Sequence, residues 1–127
     1  MNKIEGKSKF FKGAAYSRGD PYYRKAKSEG YRARSAYKLL QVEEEFAIFK
    51  GVERAVDLCA APGSWSQVLS NKLYADDAER KKATETGDIR VVSVDLQEMA
   101  DIEWVAILQG DITTEETMAN ILGIFKG

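Results

Sequence analysis

The stretch from Arg54 to Leu69, RAVDLCAAPGSWSQVL, constrains the fold more than any other part of the chain. Ala55 to Ala60 is a short apolar run with Asp57 as its only charge. That is the pattern of a parallel strand covered on both faces. Ala61 precedes Pro62, which keeps the chain extended there. Ser64 and Gln67 have capping-box spacing, and Trp65, Val68, Leu69 and Leu73 share one helical face, so a helix is predicted to start at Ser64 or Trp65. A strand, one glycine and a helix N-terminus put a ligand crevice at the strand's carboxyl end. Dinucleotide sites need three glycines, G-x-G-x-x-G, to approach a pyrophosphate. Gly63 stands alone, which disfavours a nicotinamide oxidoreductase and suits a ligand without phosphate, such as S-adenosylmethionine.

Other chemistries are excluded by what the chain lacks. It has no His, which removes Ser-His-Asp and Cys-His catalysis and leaves no metal site to expect. Cys59, its single cysteine, is expected to be a small core residue. No apolar run is long enough to span a membrane, and the basic start lacks a signal-peptide core, so a soluble, intracellular protein is expected. At 127 residues one domain is expected, small for an α/β enzyme. The net charge of −1 conceals an asymmetry, because residues 1–38 hold 11 Lys/Arg against 3 Asp/Glu. A basic arm on an acidic body fits a polyanion docked at one end, or a solvated tail. Arg24, Lys25, Lys27, Arg32 and Arg34 are the candidate phosphate contacts.

Residues 1–19 are Lys- and Gly-rich without periodicity and are expected to be a disordered tail, although Phe10, Phe11 and Tyr16 interleave with its lysines. Asp20-Pro21 marks a helix start and Gly30 its stop. Ser35 is expected to cap a second helix, from Ala36 to about Phe49, with Ala36, Leu39, Leu40 and Phe46 as its apolar stripe. Lys38 lies off that stripe, and by itself would be a solvated lysine. Residues 75–88 are polar and are expected to form a long surface loop. Arg90 to Leu96 is predicted as a second strand, ending near Asp95, whose carboxylate could accept both ribose hydroxyls. Trp104 to Leu108 is a third, followed by Asp111, which could accept from an adenine amino group or serve a turn. Thr113 and Glu116 suggest a capping box for a last helix carrying Met118, Ile121, Leu122 and Phe125. The order is the first half of a doubly wound α/β sheet, with residues 20–127 as a partial domain and a fourth strand expected after Gly127.

Four segments taken together, YRARSAYKLL (31–40), DLCAAPGSW (57–65), SVDL (93–96) and QGDIT (109–113), closely resemble the FtsJ family of RNA ribose 2′-O-methyltransferases. Within that family the chain looks most like the eukaryotic enzymes of the tRNA anticodon loop, with a nucleolar ribosomal RNA branch as the nearest rival. The resemblance implies a Rossmann-like fold, S-adenosylmethionine as cofactor, and cofactor contacts at Gly63, Trp65, Asp95 and Asp111. It implies RNA as partner, with an accessory protein subunit conceivable, and a cytoplasmic location, or a nucleolar one for the ribosomal branch. Lys38 falls on the first member of the family's Lys-Asp-Lys-Glu catalytic set. Its expected task is to position or polarise the ribose hydroxyl, since the later lysine usually serves as base.

The family's other three catalytic positions fall beyond Gly127, so the chain looks like the amino-terminal part of such an enzyme, expected to be inactive alone. A non-catalytic RNA-binding module is the alternative. With no fourth strand beside it, the strand carrying Asp57 is expected to be an open edge prone to pairing with another chain.

Overall fold

Three parallel strands form the sheet: β1 (Ala55–Leu58), β2 (Val91–Asp95) and β3 (Val105–Gln109), in the order β1-β2-β3. Residues 20–126 are described by the computed structural model; the basic tail over 1–19 and the strand expected after Gly127 lie outside them. The helices are α1 (Pro21–Glu29), α2 (Ala36–Phe46), α3 (Ser64–Leu73), α4 (Asp77–Thr86) and α5 (Glu115–Lys126). This is the expected α/β, Rossmann-like partial sheet. Ala55 is in register with Val91, and Asp95 with Gln109, so all three carboxyl ends reach the same side of the sheet.

β2 is central, and Val91 to Val94 are buried throughout. A buried apolar cluster lies on one face, where Ala36 and Leu39 of α2 and Val68, Leu69 and Leu73 of α3 pack with Val91. Apolar burial at roughly 25 cal/mol per Å² is the dominant attraction there. Among the described residues β1 is hydrogen-bonded only to β2 and forms an edge, as expected. It is not covered on both faces: Asp57 is buried, while Val56 and Leu58 on the opposite face are exposed.

Several boundaries differ from expectation for identifiable reasons. Asp20 caps α1 through the Tyr22 amide, with Pro21 in the first turn and Gly30 left-handed at the end, as the sequence indicates. Ser35 makes no side-chain cap to α2, which stops at Phe46, where Ala47 turns left-handed and leaves Phe46 exposed. The expected loop at 75–88 holds α4. Asp76 accepts from the Glu79 amide and left-handed Gly87 ends the helix. This helix buries only Ala83, so its sequence has no apolar period to read. At α5 the cap is Thr114, which accepts from the Thr117 amide, in place of the expected Thr113–Glu116 box. Met118 and Leu122 on its apolar face are exposed. Cys59 is exposed as well, because β1 ends at Leu58 and Cys59 takes a positive φ of 60°. Among the described residues no helix is long and apolar enough to cross a membrane, and no group of His, Cys, Asp and Glu could hold a metal ion.

Candidate active site

The crevice is built where the strands end. Beyond β1, the Ala60 amide donates to the Val94 carbonyl and the Ala61 amide to Asp95 Oδ2, folding the turn over β2. Beyond β3, the Gly110 amide donates to the Asp95 carbonyl. Asp95 thus sits between the two turns. Its Oδ1 also accepts from the Gln97 amide at 2.8 Å, so the carboxylate is oriented by backbone donors on both oxygens. Each oxygen keeps a second lone pair for a ligand hydroxyl.

Gly63 precedes the first turn of α3 with φ 115°, a conformation that L side chains rarely adopt. A Cβ there would lie 2.9 Å from Ile102 Cδ1 and 3.0 Å from Met99 Cε, so the turn packs directly against the segment after β2. No side chain of Gly63 or Ser64 caps the helix, which corrects the expected Ser64–Gln67 box. Asp57 reaches this helix from the sheet: it accepts from Ser66 Oγ at 2.6 Å, and Ser66 Oγ also bonds Ser93 Oγ of β2. Burial pushes the Asp57 carboxyl up, against the lowering effect of the Ser66 bonds, and the neighbouring Asp95 charge adds to the rise. Asp57 is the residue that sequence reasoning left without a role, although a lone charge in an apolar strand was the available signal.

Asp111 lies past β3 on the surface. Its Oδ1 accepts from the Thr113 hydroxyl and amide, and those bonds hold its carboxyl below the usual range. It therefore serves a turn, while Oδ2 has no partner among the described residues. Trp65 is 39% exposed, and its indole Nε1 donates to the Ser35 carbonyl at 2.8 Å. Lys38 is exposed on α2, one turn beyond Ser35, and its side chain has no partner among the described residues.

The five basic candidates divide. Arg32 donates to the carbonyls of Pro62, Ala100 and Asp101, at 3.0, 2.7 and 2.6 Å. Burial pushes its guanidinium pKa down and Asp101 works in the opposite direction. These bonds use three of the five guanidinium donors, and through them Arg32 clamps the Gly63 turn to the segment after β2. Arg34 pairs with Asp20. Lys25 lies over the Tyr37 ring and Lys27 over that of Tyr23, with the ammonium groups 4.9 and 5.6 Å from the centroids. Arg24 is exposed on α1 with them.

A parallel α/β sheet with a one-glycine turn and two carboxylates at its strand ends defines a binding fold of the nucleotide-ligand class. Residues 31–127 match the FtsJ-like methyltransferase model, and the chain belongs to that family. It is 56% identical over 108 residues to the mouse tRNA (cytidine(32)/guanosine(34)-2′-O)-methyltransferase and 55% identical to the human protein of that name. Each match covers 85% of this chain and 30% of the relative. It is also 44% identical to the ribosomal RNA large subunit methyltransferase E of Allorhizobium ampelinum, over 85% of this chain and 38% of that protein. The chain thus spans about a third of the length of these relatives.

Proposed function

We propose that this chain serves S-adenosylmethionine-dependent 2′-O-methylation of an RNA ribose, with tRNA as the RNA. The observation that carries this is the placement of Gly63, Asp95 and Asp111 at one end of a parallel sheet in an FtsJ-like chain. The donor set suits the cofactor. A pair of carboxylates at the strand ends repels phosphate and attracts a cationic sulfonium, and there is no glycine-rich cradle for a pyrophosphate. When bound, S-adenosylmethionine supplies a methyl group on sulfur. Asp95 would hold the ribose hydroxyls of the cofactor through its free lone pairs, and Asp111 Oδ2 would accept from the adenine side. Lys38 would position or polarise the hydroxyl to be methylated. Preference for tRNA over ribosomal RNA follows the higher identity to the relatives named for tRNA.

Calorimetric titration of S-adenosylmethionine into the intact protein tests this. Saturable binding is expected, weakened about 10-fold or more by Asp95→Ala, because a hydrogen bond to a charged group contributes about 1.5–3 kcal/mol. Absence of binding, or equal affinity in the variant, would refute the assignment.

The exposed basic face of α1 supplies the RNA contacts in this proposal. Reversing Lys25 and Lys27 to Glu is expected to weaken RNA binding similarly across sequences and to flatten its salt dependence, by roughly one log–log slope unit for each phosphate no longer neutralised. Filter binding over a salt series reads both quantities, and an unchanged slope would assign this face to solvent.

A further inference from the structure

The register between β2 and β3 runs as far as Asp95 and Gln109, and beyond that pair a side chain continues the contact. Gln109 Nε2 donates to the Leu96 carbonyl at 3.0 Å. That carbonyl belongs to the same peptide group as the Gln97 amide, which donates to Asp95 Oδ1 at 2.8 Å. A trans peptide group is planar, with its C=O and N–H pointing in opposite directions, so neither end turns without the other. Holding the oxygen therefore aims the N–H. A bond accepted at the oxygen also polarises the group and strengthens the bond given at the nitrogen.

From this geometry we infer that Gln109 is a positioning residue for Asp95, acting through the Leu96–Gln97 peptide, and that it thereby tunes affinity for the cofactor's ribose. The Asp95 carboxylate is gripped from two sides, at Oδ2 by the Ala61 amide at 2.9 Å and at Oδ1 by the Gln97 amide. With the second grip loosened, the carboxylate is free to rotate about its Cβ–Cγ bond, and its remaining lone pairs no longer point in a fixed direction. Two ribose hydroxyls need both directions at once. Gln109 is exposed, so its replacement opens no cavity in the core, and its effect should appear at the ligand in place of the fold. This inference rests on the proposal that Asp95 holds the ribose hydroxyls of S-adenosylmethionine.

The test titrates S-adenosylmethionine into the intact protein by calorimetry, beside a thermal melt, for Gln109→Met, Asp95→Ala and the double variant. Methionine keeps the length of the side chain and removes the donor. Gln109→Met is expected to raise the cofactor dissociation constant about 5-fold, the scale of one neutral hydrogen bond, with the melting temperature unchanged. In the Asp95→Ala background the same change should have no further effect, since residues that act as one unit are not additive. Gln109→Glu, isosteric but without a donor at neutral pH, should weaken binding in the same direction, and it stands in if Gln109→Met does not fold. Gln109→Lys puts a donor back. It should restore affinity for S-adenosylhomocysteine, a probe with the same ribose and no sulfonium charge for the lysine to repel. An equal loss with and without Asp95 would overturn the inference, as would a loss that follows a fall in melting temperature. If Asp95→Ala weakens binding but Gln109→Met and Gln109→Glu do not, the inference fails and the proposed function stands. If Asp95→Ala binds as the parent does, the cofactor assignment of Asp95 falls and the inference with it.

Discussion

Replacing Lys38 with methionine is expected to lower methyl transfer by about 10²-fold, the cost associated with a misplaced reacting group. The size of the effect follows from what Lys38 does not do. It is exposed, and its side chain has no partner among the described residues, so its loss breaks no side-chain bond within them. Methionine retains much of the apolar stem and helix propensity. Stability should therefore stay within about 0.5 kcal/mol, as for surface substitutions of this kind. Cofactor affinity should be unchanged, since the proposed cofactor contacts lie at the strand ends. Single-turnover methylation of RNA, run beside a thermal melt, separates these quantities. Equal rates for the two proteins would return Lys38 to an ordinary solvated face.

Asp57→Ala is expected to destabilise the fold by about 2–3 kcal/mol, the upper part of the range for orphaning buried partners. Asp57 is 8% exposed and ties the first turn of α3 to the sheet through the Ser66 hydroxyl. Alanine leaves the buried Ser66 Oγ with Ser93 Oγ as its one remaining partner among the described residues. Asp57→Asn, which keeps an acceptor oxygen and removes the charge, adds a pH test. Burial raises the carboxyl in the folded state above its unfolded value, so the native fold holds the proton more tightly. That stabilising contribution is complete below the unfolded pKa of about 3.9 and is lost as pH rises through the folded value. The Asn variant should therefore gain on the parent as pH rises from about 4 towards neutral. Urea melts across that range would show it, and a parallel pH dependence of the two proteins would refute the charge argument.

The sequence was most informative where local chemistry and tertiary structure agree. Asp20-Pro21 and Gly30 delimit α1 as read, because capping is a property of a few adjacent residues. The three strands and the positions of Gly63, Asp95 and Asp111 at their ends were legible from short apolar runs and turns. Misreadings arose where a side chain found a distant partner. Ser64 and Gln67 have the spacing of a capping box, yet they reach across to Ser35, Gly30 and Arg32. Arg32 belongs by charge to the basic arm and by contact to three backbone carbonyls, two of them nearly 70 residues away. α4 was missed for the opposite reason. Its caps at Asp76, Glu79 and Gly87 were readable, but a helix that buries one alanine leaves no stripe.

The Arg32 clamp also bears on the order in which the molecule is assembled. It joins the α1–α2 connector to carbonyls 30, 68 and 69 residues further along, and the β1–β2 ladder itself pairs positions 36 residues apart. Closing such spans costs chain entropy before any contact compensates, and parallel pairing makes folding slower than local hairpins or helices would. α1, with both caps supplied locally, needs none of these closures to form. The guanidinium can reach all three carbonyls only when the Gly63 turn and the segment after β2 stand side by side. A chain with its helices formed but these long spans still open would lack the side-by-side turns at which the ligand is proposed to sit.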